Sequence, residues 1–193
     1  MDEDVRKKII ETIEAHKKAI TELEAGGIEA IAAAARIITR ALKQNGHLYI
    51  CGNGGSAADA QHIASELVGR FEHERKPLPA VAMTTDTSII TSISNDYGYE
   101  NVFAKQVEAL VKKGDVLWAI STSGASANVV AAAKLAKKKG AAVLAFTGSN
   151  GSKLEQVADI CFCANSKSTA RSQEIHQLGF HIICGLVEDS FRK

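Results

Sequence analysis

No stretch of this 193-residue sequence approaches the ~18 apolar residues in a row that a membrane-crossing helix requires. Its first residues, Met1-Asp2-Glu3-Asp4, are acidic rather than signal-like, so a cytoplasmic location is expected and a membrane partner is not. Charge of one sign is also scarce. Lysine and arginine number 23 against 22 aspartates and glutamates, a formal net charge of +1, which gives no long-range attraction to nucleic acid. The four cysteines, Cys51, Cys161, Cys163 and Cys184, contain no C-x-x-C pair, and they are read as small buried apolar residues rather than redox or metal groups. Proline occurs twice, at Pro77 and Pro79, in a polar connection that also holds Glu72, His73, Glu74, Arg75 and Lys76. That connection is the best candidate for a mobile surface loop with solvated charges. No internal repeat and no low-complexity segment is present.

What remains is ordinary globular material, 46% hydrophobic and 23% charged, long enough to bury a sizeable core. Residues 3–24 place Val5, Ile9, Ile13, Ile20 and Leu23 at helical spacing, and Gly26-Gly27 breaks the run. A second helix is expected over 28–44, with Ile28, Ile31, Ala35, Ile38 and Leu42 on one side. These stripes are assigned to subunit packing, with cover for a sheet as the plainer alternative. Beyond them, strands near 47–51, 80–83, 115–120, 142–146 and 159–163 alternate with helices near 56–69, 86–94, 100–112, 126–138, 152–157 and 170–191. Such alternation predicts an α/β fold, a doubly wound five-stranded parallel sheet flanked by helices. The chain reads as one domain over 1–193, an N-terminal helical extension over 1–45 and an α/β core over 46–193. Ligands of such sheets collect at the carboxyl ends of the strands, around the topological switch point.

The segment Cys51-Gly52-Asn53-Gly54-Gly55-Ser56 joins a strand to a helix and leaves amide N–H groups free at the helix N-terminus, where an anion is welcome. Further along that helix His62 and Glu66, spaced i and i+4, project from one face. A second anion site is expected at Ser121-Thr122-Ser123-Gly124-Ala125-Ser126, where four hydroxyls exceed what helix capping needs, although Ser126 alone could be an N-cap. Thr147-Gly148-Ser149-Asn150-Gly151 reads as an ordinary loop. Asn95 and Asp96 could be turn formers or could offer an amide and a carboxylate to sugar hydroxyls. In the last helix Gln173, His176 and His181 sit among apolar neighbours; imidazole, carboxylate and amide oxygen together suit a zinc-like ion. Gln173 and His181 stand about 12 Å apart along a helix, which strains their sharing one ion.

Four segments together, C-G-N-G-G-S-x-x-D-A-x-H-x-x-x-E from Cys51 to Glu66, Asn95-Asp96-Tyr97-Gly98, S-T-S-G-x-S from Ser121 to Ser126, and A-R-x-Q-E-x-H with His181 beyond, resemble the sugar isomerase (SIS) domain family. The likeness is to its members that act on seven-carbon sugar phosphates, and it covers most of the chain. It implies a flavodoxin-like sandwich whose N-terminal helices serve oligomer packing. It also implies interconversion of sedoheptulose 7-phosphate and D-glycero-D-manno-heptose 7-phosphate, an early step towards nucleotide-activated heptose for lipopolysaccharide or other surface glycans. The resemblance assigns Glu66 as base and His181 as acid partner, and Asn53, Gly54, Gly55, Glu66, Asn95, Asp96 and Gln173 to the substrate. It further assigns Ser121, Thr122, Ser123 and Ser126 to the phosphate, Zn2+ to His62, Glu66, Gln173 and His181, and a homotetramer with active sites at subunit interfaces. Ala170 stands where some relatives carry an aspartate, and Ser172 where an apolar residue would be expected. A rival of another class shares the fold: an adaptor that binds the replication initiator protein but lacks counterparts of Glu66 and His181.

Overall fold

A computed structural model describes residues 2–192. Five parallel strands, β1 Leu48–Gly52, β2 Ala80–Ala82, β3 Val116–Ser121, β4 Ala142–Thr147 and β5 Ile160–Cys163, form one sheet in the order β2-β1-β3-β4-β5. The chain leaves β1 for one edge and returns to β1's other side, so the switch point lies between β1 and β3. The two glycine- and serine-rich turns follow those two strands.

Seven α-helices, α1 Glu3–Gly26, α2 Ile28–Lys43, α3 Gly55–Val68, α4 Thr87–Tyr97, α5 Val102–Leu110, α6 Ala127–Lys138 and α7 Thr169–Asp189, and a 3-10 turn at Tyr99–Asn101 lie among the described residues. Side chains alternate across the strands, as a period of two demands. Leu48, Ile50, Trp118, Ile120, Leu144 and Phe146 meet α2, α3 and α7 on one face. Tyr49, Cys51, Leu117, Ala119, Val143 and Ala145 meet α5 and α6 on the other.

The two N-terminal helices divide the alternatives read from their stripes. Helix α2 buries Ile31, Ala34, Ala35, Ile38, Ala41 and Leu42 and serves as sheet cover. Helix α1 buries only Ala19 and leaves Val5, Ile9, Ile10, Ile13 and Ile20 exposed. It is tied to α7 by polar contacts, Arg171 Nη1 donating to Thr12 O at 3.0 Å and His16 Nδ1 lying 2.6 Å from Glu174 Oε2. Two further expectations are corrected. Residues 153–157 form successive turns rather than a helix: Gln156 N–H reaches Ser152 O at 3.2 Å in a four-residue step, but Val157 N–H reaches Leu154 O at 3.1 Å in a three-residue one, and no regular ladder follows. The 70–79 connection is anchored, not mobile: the buried Glu188 carboxylate accepts the N–H groups of Phe71, Glu72 and His73. Ser172 is buried and satisfied, its hydroxyl donating to Ser166 O at 3.2 Å. Cys51 and Cys184 are buried, which pushes their thiols up to about 12 and fits inert core residues.

His176 lies buried between Phe146 and Phe162, with Nε2 2.9 Å from the Thr147 carbonyl. Burial holds its pKa down to about 4 against an ordinary 6.5, although the carbonyl pulls the other way. The unfolded chain therefore binds a proton that the fold refuses. His176 contributes its full stability above pH 6.5, loses it progressively towards pH 4, and the difference amounts to about 3 kcal/mol. Denaturant unfolding of wild type and His176→Gln at pH 7.5 and pH 4.5 checks this: wild type should lose about 3 kcal/mol more than the variant on acidification. Equal losses would rule it out.

Candidate active site

The β1–α3 turn is shaped by its glycines. Gly54 has φ 56° and ψ −121°, a region that side-chain-bearing residues avoid, and no side chain caps α3. A Cβ on Gly55 would come within 2.1 Å of the Gln173 amide nitrogen, so α7 closes directly against the start of α3. The turn is thus a bare helix N-terminus with an amide beside it. Across the switch point, Ser121 Oγ lies 3.0 Å from Ser126 Oγ and 3.3 Å from Ser123 Oγ. Ser126 precedes α6 but its side chain makes no capping bond, so the plain capping explanation of that hydroxyl does not hold. Three hydroxyls and the free amides of α6 converge there, arranged for an anion without a basic side chain. Thr122 adds its carbonyl, which accepts Gly148 N–H at 2.9 Å and fixes the turn to the loop after β4. The loop Thr147 to Gly151, read from the sequence as an ordinary loop, meets the serine turn through this bond.

Asn53 joins the two turns. Its side-chain amide exchanges two hydrogen bonds with that of buried Asn128, both at 2.9 Å, and Tyr99 OH donates to Asn53 Oδ1 at 2.9 Å. Neither Asn128 nor Tyr99 stood out in the sequence; the one signal was an asparagine two residues past the serine turn. Asn95 and Asp96 fall in the last turn of α4, exposed and hydrogen-bonded to each other at 2.8 Å. A cavity of 130 Å³ lined by Asn53, Gly54, Thr84, Tyr99 and Phe103 opens at this end of the sheet. A wider concavity, 540 Å³, lies elsewhere, between α2 and the end of α7, and holds none of the acid or base groups.

Two turns along α3 from Gly55, about 10 Å, the second cluster begins. His62 Nε2 lies 3.0 Å from Glu66 Oε1 and 3.4 Å from His181 Nε2. Among the described residues, these three are the one group of His, Cys, Asp or Glu whose ligand atoms lie within 4.8 Å of one another. Two imidazole nitrogens facing each other at 3.4 Å cannot both carry a proton comfortably; with lone pairs turned inward, they and the carboxylate make a donor set that fits a divalent cation. Burial and the neighbouring His62 lower the His181 pKa, with Glu66 opposing them, which favours the neutral, ligand-competent ring. The Gln173 amide lies beside Gly55, at the first turn of α3. Asp59, outside that group, was given no role in the sequence reading. One turn before His62, it has an unpartnered buried oxygen, and burial pushes its carboxyl up to about 6 despite His62.

The family profile described as the SIS domain matches residues 11–148. The phosphoheptose isomerase of Roseiflexus sp. (strain RS-1) is 51% identical over 183 residues, covering 93% of this chain and 91% of that protein. The solved phosphoheptose isomerase of Neisseria gonorrhoeae superposes with a TM-score of 0.91 at 41% identity, over 96% of this chain and 99% of that one. That of Francisella tularensis gives 0.92 at 38% identity, over 96% and 98%.

Proposed function

Because this chain belongs to the SIS domain family and is an isomerase of the phosphoheptose isomerase kind, we propose that it interconverts D-sedoheptulose 7-phosphate and D-glycero-D-manno-heptose 7-phosphate. One observation carries the reading: α3 and α7 bring Glu66, His62 and His181 to one place, on the helix whose uncapped N-terminus is an anion-receptive turn. Both glycine- and serine-rich turns stand at the switch point, and the acid–base cluster begins about 10 Å along α3 from Gly55.

In this reading Ser121, Thr122, Ser123 and Ser126 hold the phosphate, and Asn53, Gly54, Gly55, Asn95, Asp96 and Gln173 hold the sugar hydroxyls. Glu66 takes a proton from C1 of the ketose while the C2 oxygen gains one, giving the enediol; returning a proton to C2 and removing that on the C1 oxygen completes the aldose. His181, kept neutral near pH 7, donates a ring N–H to the oxygen where charge develops. His62, Glu66 and His181, with Gln173 as a fourth candidate, would hold Zn2+, which when bound supplies a Lewis acid for the carbonyl. Each of Glu66 and His181 has two polar atoms, so holding an ion through one leaves the other for the proton.

A homotetramer with active sites at subunit interfaces is part of the proposal. It is supported by the exposed α1 stripe, with Val5, Ile9 and Ile13 each about half exposed, and by a His62–Glu66–His181 cluster that stays partly open in one protomer. A cytoplasmic place early in nucleotide-heptose synthesis follows from this substrate. The initiator-binding adaptor is disfavoured by the presence of Glu66 and His181. Purified protein incubated with sedoheptulose 7-phosphate should form aldose by NMR, and its failure to do so in the presence of zinc would refute the reading. Thorough chelation should lower turnover on the order of 10²-fold, with recovery on adding zinc. Unchanged turnover would remove the metal and leave the acid–base pair.

A further inference from the structure

The anchored connection after α3 holds two features that the chemistry above does not use, a buried ion pair and an aromatic ring. Glu188 lies two turns beyond His181 on α7. Its carboxylate accepts the N–H groups of Phe71, Glu72 and His73 at 2.9, 2.8 and 2.9 Å. Arg75 Nε stands 3.4 Å from the same carboxylate, and both side chains are 1% exposed. The other end of the guanidinium donates to the carbonyls of Gly69, Lys76 and Glu66, the last at 2.6 Å. Glu66 sits in the final turn of α3, where carbonyls lack partners within the helix, so Arg75 is that turn's cap. The loop so fixed lays the Phe71 ring over the face of His181, with centroids 5.6 Å apart and planes at 19°. Phe71 also packs on Gly185, one turn past His181. His62 and Phe180 meet the same imidazole edge-on at 4.9 and 4.6 Å.

We propose that Phe71, Arg75 and Glu188 are positioning residues for the acid–base pair: one buried ion pair fixes both the helix turn carrying Glu66 and the ring against which His181 stacks. This rests on the reading of Glu66 and His181 given above. A buried pair is a poor device for stability alone, because apolar residues of similar volume often serve as well. What it supplies here is a fixed path for the backbone of residues 69–76, through five hydrogen bonds there and a sixth to Glu66 that apolar residues could not make. The imidazole needs such help. Rotation about the bond to its ring is broad and soft, and only neighbouring atoms select one orientation. Phe71 covers one face, and two other rings close its edges.

The test uses the full chain with Phe71 replaced by alanine or by tyrosine, and with Arg75→Lys, which keeps charge but loses the fork that spans Glu66, Gly69 and Glu188. Two quantities are measured: kcat and KM for sedoheptulose 7-phosphate, and the NMR resonance of the His181 ring in histidine-labelled protein. Phe71→Ala and Arg75→Lys should each lower kcat about tenfold or more, while KM, set largely by the distant phosphate turn, stays within about threefold. Loss of the stacked ring should move the His181 resonance downfield in Phe71→Ala. Phe71→Tyr should restore both values. A kcat within about twofold of wild type in Phe71→Ala, an unmoved resonance, or a KM rise matching the kcat loss would overturn the proposal. An inactive wild-type protein would instead overturn the functional reading, and the resonance would still report whether Phe71 holds the ring.

Discussion

Glu66→Gln is expected to lower kcat by about 10²–10⁴-fold while leaving KM for the sugar phosphate within a few fold. Glutamine keeps the length and one oxygen of glutamate but cannot accept a proton from carbon. The α3 backbone should be undisturbed, because Arg75 grips the Glu66 carbonyl and not its side chain. His62 Nε2, 3.0 Å from the carboxylate, keeps a polar neighbour. Steady-state kinetics, with melting temperature as the control for folding, makes the measurement. Turnover at the wild-type rate would dismiss Glu66 as the base, and a large rise in KM with kcat intact would mark it as a binding group only.

Glu188→Ala is expected to cost about 3–5 kcal/mol of folding stability, since it leaves the Arg75 guanidinium buried without its counter-charge. It also leaves three backbone N–H groups without their acceptor. The carboxyl shows how firmly it is held: burial alone would raise its pKa, yet the three N–H donors and Arg75 outweigh burial and keep it below the usual range. For a chain of this length the loss corresponds to a fall in Tm on the order of 10 °C at fixed protein concentration. Adding Arg75→Met should recover part of it, because the double variant no longer buries a lone charge. A single variant within about 1 kcal/mol of wild type would show that the pair is not desolvated as described.

Which parts of this molecule could be read from its sequence follows from how far apart the interacting residues lie. The strand–turn–helix units at Cys51–Ser56 and Ile120–Ser126 were legible because turn glycines and hydroxyls act on their own neighbours. The i, i+4 pair His62 and Glu66 was legible for the same reason, and its meeting with His181 was expected from a resemblance spanning the whole chain. Residues 152–157 were misread because Leu154 and Val157, three apart, imitate a helical stripe. The segment closes as mixed three- and four-residue turns, and Leu154 N–H is taken by Gly124, thirty positions away. The 70–79 connection was misread because its composition is polar, and nothing local announces that Glu188 will bury Arg75. Asn128 escaped for a similar reason, since its partner Asn53 belongs to a different turn.

The two prolines acquire a purpose at the margin of the sheet. Strand β2 has three residues and pairs on one side only, with β1, and Pro77 and Pro79 lead straight into it. Proline offers no N–H, so the exposed rim there has few donors for an incoming strand. The opposite rim, β5, is four residues long. A foreign or partly unfolded chain therefore finds little to zip onto at either margin, and growth of fibrils from the native sheet is disfavoured.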